Sequence, residues 1–119
     1  MKFKPKHEAA LRIKPILEKV KELGHKPDVL PLSDYADAET FNFLLPGNGW
    51  TFDQWHAVNT EVADQLRSLG FNVRMVKLDM VQFMDWLVRY GLKNNPQNRA
   101  QYVSWLVAPE NAKPTPQAD

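Results

Sequence analysis

Apolar residues recur every three or four positions over most of this chain, and that spacing predicts helices. Ala9, Ala10, Ile13, Ile16, Leu17, Val20 and Leu23 predict a first helix from about His7 to Leu23. Pro15 lies inside it; because the apolar face continues in phase across the proline, a kink is expected rather than a break. Tyr35, Ala38, Phe41, Leu44 and Leu45 predict a short second helix, with Ser33 as its cap. Phe52, Trp55, Val58, Val62, Leu66 and Leu69 form one face of a third helix, and Thr51 with Gln54 makes a capping box at its start.

The fourth helix, Met80 to Tyr90, breaks the pattern of one apolar face. Met80, Val81, Phe83, Met84, Trp86, Leu87, Val88 and Tyr90 point in nearly every direction, and only Gln82, Asp85 and Arg89 are polar. A helix apolar on most sides is either central in its fold or covered by a partner. Asp79 and Gln82 form a capping pair before it. Asn95 caps a fifth helix with Pro96 at its first position, and Tyr102, Val103 and Leu106 face inward. Pro109 ends it.

Two stretches between helices alternate or run apolar as short strands do. Val29–Leu32 is one, confined to a sheet edge by Pro27 and Pro31, and Val73 with Met75 marks the other. Each follows a Leu-Gly pair, Leu23-Gly24 and Leu69-Gly70, where glycine accepts the left-handed conformation that stops a helix. The fold expected is therefore α+β: a helix-rich single domain over residues 1–108, with about five helices, a two-stranded sheet and a possible α-β-α pseudo-repeat. Residues 109–119, polar and with Pro114 and Pro116, are expected to be a disordered tail.

Composition changes this picture little. The 119 residues suffice for one buried core. There is no cysteine, so disulfides and thiolate metal sites are excluded. No window is long and apolar enough for a membrane span and no secretory signal is seen, so a soluble cytoplasmic protein is expected. The net charge of +1 hides blocks of +5 over residues 1–27, −7 over residues 28–64 and +3 over residues 65–119. Mutual neutralisation of the first two blocks is the simpler account; separate partners are the sharper one.

Candidate chemistry is sparse. Gly47 and Gly49 precede a helix, but no phosphate-loop lysine accompanies them, and a helix-helix connection accounts for them. His7, His25 and His56 lack metal-ligand spacing, and Asp53 with His56 has no third partner, so neither metal nor cofactor is expected. Ser33, Ser68 and Ser104 sit in no nucleophile elbow, and Asp34, Asp37 and Glu39 suit a helix start. A small enzyme with an unrecognised site would need a cleft that gathers polar groups from several segments.

Two readings of binding remain. In the first, the fourth helix meets another protein or a second copy of the chain. Met84, Trp86, Val88 and Tyr90 on that helix, Trp105 on the fifth and Trp50 in the turn are the candidate contacts. The second reading concerns residues 80–107, where a helix, a short turn and a helix beginning Pro96-Gln97-Asn98-Arg99-Ala100-Gln101 stand in order. In outline this segment resembles helix-turn-helix proteins. The resemblance implies that Gln97, Asn98, Arg99 and Gln101 read base edges while Arg89 and Lys93 touch phosphates. It covers about 28 residues and rests on residue types, and a polar outer face on the last helix accounts for them as well.

Overall fold

The computed structural model describes residues 3–108. Its elements are α1 (Pro5–Leu23), β1 (Leu30–Tyr35), α2 (Ala38–Leu44), α3 (Phe52–Ser68), β2 (Val73–Leu78), α4 (Met80–Tyr90) and α5 (Pro96–Val107). The fold is α+β, with five helices and a two-stranded parallel sheet. The expected tail lies outside the described residues. No helix among the described residues is long and apolar enough to cross a membrane.

The described residues fall into two compact units. One is drawn from residues up to Leu30 and from Gly49–Arg74; the other from Pro31–Asn48 and from Met75 onward. In the first, α1 packs on α3. Ala9 and Ile13 of α1 are buried, and so are Trp55, Val58, Val62, Ala63 and Leu66 of α3. Ile16 and Val20 continue the α1 line half-buried, whereas Leu17 and Leu23, expected inward, are exposed. The stripe at Ala9, Ile13, Ile16 and Val20 keeps to one side of the helix, and Leu17 falls off it. Helix α1 begins at Pro5, earlier than the apolar pattern suggests, because proline at the first helical position loses no intrahelical bond. It also runs on through Pro15. That residue is exposed, as is Leu11, whose carbonyl has no Pro15 N–H to accept and faces water instead.

The start of α2 differs from expectation. Ser33 and Asp34 belong to β1, and the cap is Asp37, whose carboxylate accepts from the Thr40 N–H at 2.8 Å. Asp34 is buried, and its carboxylate accepts from the Tyr35 N–H at 2.9 Å. Ser33, Asp34 and Asp37 are all able to cap a helix, and the strand takes the first two. The other caps match expectation: Thr51 and Gln54 close a full capping box, Asp79 accepts from Gln82 N–H, and Asn95 accepts from Asn98 N–H.

The order helix, glycine, strand, Asp cap, helix occurs twice. Gly24 and Gly70 stand 46 residues apart, but the caps Asp37 and Asp79 stand 42 apart, so four residues separate the two spacings. The second unit buries Tyr35, Phe41, Leu44, Leu78, Phe83, Trp86, Leu87, Tyr102 and Val103. Its aromatic part, carried by α4 and α5, determines which face of α4 is left outside.

Candidate protein-docking face on α4

Helix α4 is closed at both ends by local hydrogen bonds. The Asp79 carboxylate takes the Gln82 N–H at 2.9 Å. At the other end Gly91 adopts φ 66°, the left-handed region that favours glycine. The Leu92 N–H reaches back to the Leu87 carbonyl at 2.8 Å and the Gly91 N–H to the Val88 carbonyl at 3.2 Å. These two bonds are the Schellman arrangement, which satisfies carbonyls that a helix end leaves open.

One face of α4 is filled with aromatic bulk. Phe83, Trp86 and Leu87 are buried. The Phe83 ring lies 5.1 Å from that of Tyr102, and the Trp86 ring 5.1 Å from Tyr102, 5.7 Å from Tyr90 and 6.5 Å from Trp105. Tilted and edge-on pairs at such separations add to simple burial. Trp86 is 4% exposed, which corrects its reading as a contact residue: its bulk belongs to the core. Its indole N–H is buried with no hydrogen-bonding partner among the described residues. A donor left so costs about 1–3 kcal/mol, so packing holds Trp86 in place against that cost.

Burial also acts on Tyr102. It pushes the phenol above the usual tyrosine value, and the negative charge of Asp79 pushes in the same direction. The unfolded chain then loses this proton more readily than the folded one, so the stabilisation is complete below about pH 10 and is lost as pH rises through the folded value. Denaturant midpoints measured from pH 8 upward should fall more steeply above about pH 10 for the native chain than for Tyr102→Phe.

The opposite face carries the other apolar residues. Val81 is 73% and Val88 78% exposed, and Met84 between them is half-buried. Positions 81, 84 and 88 follow the i, i+3, i+7 spacing, which lines up as one seam along a helix. Beside the seam run Gln82, Asp85 and Arg89, all exposed. Arg89 pairs with Asp85 one turn earlier at 3.4 Å, both side chains 69% exposed. A pair so exposed contributes little to stability. Val81 was missing from the contact residues inferred from sequence; its signal was the seven-residue spacing to Val88.

The remaining candidates are placed differently. Tyr90 and Trp105 are half-buried at the margin of the aromatic group. Trp50 is half-buried in the other unit, edge-on to Phe3 at 5.7 Å and beneath the Arg12 guanidinium at 4.9 Å. Of the residues implied by the helix-turn-helix resemblance, Arg89, Lys93 and Gln97 are exposed and Gln101 is half-buried. Asn98 and Arg99 are engaged inside the unit. Asn98 is 7% exposed and donates its amide to the Lys93 carbonyl at 2.7 Å. The Arg99 guanidinium holds the Asn94 side-chain oxygen at 2.8 Å and the Leu44 carbonyl at 3.5 Å, and Asn94 donates to that same carbonyl at 2.8 Å. These bonds tie the start of α5 to the end of α2. Asn98 and Arg99 therefore do not stand out as base-reading side chains.

No group of three or more His, Cys, Asp or Glu able to hold a metal occurs among the described residues. An open hollow of about 540 Å³ at the start of α1 is lined by Phe3, Lys4, Pro5, Lys6, His7 and Glu61. His56 stacks on Phe52 at 5.9 Å. No family model matches this chain, and neither does any curated protein or solved structure.

Proposed function

We propose that this chain is a non-catalytic interaction domain that docks another protein's helix on the outer face of α4. The observation that carries the reading is the exposure of Val81 and Val88, seven residues apart on one helix with Met84 between them. Elsewhere the outward residues of α4 are polar or charged. Two mostly exposed valines on a single line form an apolar seam, and a second helix with matching residues is the shape that removes such a seam from water.

Magnitudes set the strength of such a contact. Burying a valine is worth about 1.5 kcal/mol or somewhat more. Association costs about 4–15 kcal/mol in lost freedom. An eleven-residue helix face also falls short of the area that stable complexes bury. The expected complex is weak and reversible, with a dissociation constant of order 10–1,000 µM.

A designed helical peptide with leucine at i, i+3 and i+7 provides the test. Titrated into the protein, it should shift the methyl resonances of Val81, Met84 and Val88 while leaving the exposed Leu11 and Leu23 of α1 unmoved. Shifts spread equally over α1 and α4, or absent up to about 1 mM peptide, would end the reading.

A further inference from the structure

We propose that the helix received by this seam is α4 of a second copy, lying antiparallel across a two-fold axis that passes between Met84 and Asp85. The inference rests on the docking reading above and names its partner. It starts from the symmetry of the seam. Val81 stands three residues before Met84, and Val88 stands three residues after Asp85. A two-fold axis at the midpoint places each residue against the one equally far on the other side. Val81 then meets Val88 of the second copy, and Val88 meets Val81, so all four valines are covered by one operation. An isologous interface requires such self-complementarity, since one patch must serve as both halves. A foreign helix imposes no such condition on the spacing.

The charged flank agrees with the same arrangement. Gln82, Asp85 and Arg89 lie on one side of the seam, and Met84 borders the other. Antiparallel pairing brings like flank to like flank. The two Asp85 carboxylates come near the axis with an Arg89 guanidinium one turn out on either side, and the group is neutral in sum. Arg89 already leans toward Asp85 at 3.4 Å in the single chain, so its head points toward the axis. Parallel pairing instead sets the Asp85 flank against Met84 of the other copy. That removes a carboxylate from water without a partner and is disfavoured.

The chain contains no cysteine, so single substitutions report geometry cleanly. Val81→Cys and Val88→Cys, one of them carrying a tag that separates the species by size, are mixed in equal amounts at about 200 µM and oxidised. Both positions are exposed, and both variants keep the fold. The mixed disulfide linking position 81 to position 88 should exceed either self-linked species by about tenfold, because the two-fold axis sets equal positions far apart. A predominance of self-linked dimers would mean parallel pairing and would overturn the proposal. Statistical amounts of all three, or no dimer, would exclude a second copy as the occupant. The peptide titration reads the seam independently: methyl shifts with peptide but no specific disulfide leave the docking face standing without this partner, and loss of both removes the face itself.

Discussion

Phe83→Ala is expected to lower stability by about 3–5 kcal/mol, the range for removing a fully buried aromatic ring. Phe83 has no measurable exposure, and its ring touches both the Trp86 and the Tyr102 rings. Truncation leaves a hollow bordered by rigid rings that cannot collapse far, so the cost should sit toward the upper end. Val88→Ala, five residues along the same helix, removes a side chain that is 78% exposed and should change stability by less than about 0.5 kcal/mol. Denaturant unfolding of the two variants side by side checks which face of α4 is the inner one. A loss under about 1 kcal/mol for Phe83→Ala would contradict the aromatic packing described here.

The second large effect falls on association. Val81→Asp combined with Val88→Asp places four carboxylates in the antiparallel seam where four valines would be covered. The apolar gain disappears, and unpaired charge must be desolvated or kept apart. The dissociation constant should rise by at least about a hundredfold, close to 2.7 kcal/mol. Because both positions already face water, the far-ultraviolet spectrum should be retained and the thermal midpoint should change little. Sedimentation equilibrium reads the outcome. An unchanged association constant in a folded double variant would show that α4 is not where the copies meet.

Which parts of this fold sequence reasoning reaches follows from the range of the interactions. The caps of α3, α4 and α5 are formed by side chains three residues from the N–H groups they hold, so Thr51, Asp79 and Asn95 are recognisable locally. The join of β1 to α2 is not local. Its strand is fixed by a partner far along the chain, shown by the Leu30 N–H bonding to the Asn72 carbonyl, and that pairing decides against Ser33 as a cap.

For the site, the apolar character of α4 was plain but its polarity of burial was not. Phe83, Trp86 and Leu87 form one line and Val81, Met84 and Val88 another, and the spacing suits either as the inner one. Ring size decides: the aromatic line packs with Tyr102 and the valine line stays out. Trp86 was misread for that reason, and Val81 was overlooked for it. Asn98 and Arg99 show the same limit for polar groups. Their donors suit base edges, yet the structure gives them to the Lys93 and Leu44 carbonyls, the second of which lies 55 residues from Arg99.

The most direct measurement is a dilution series of the native protein from about 1 mM to 10 µM, followed by methyl resonances of known assignment. The docking of α4 on its own copy predicts that Val81, Met84 and Val88 shift together along one binding curve, while the methyls of Val58, Leu66 and Leu78 in the buried interior stay fixed. Resonances of Val81 and Val88 that hold their positions across the whole range would contradict it.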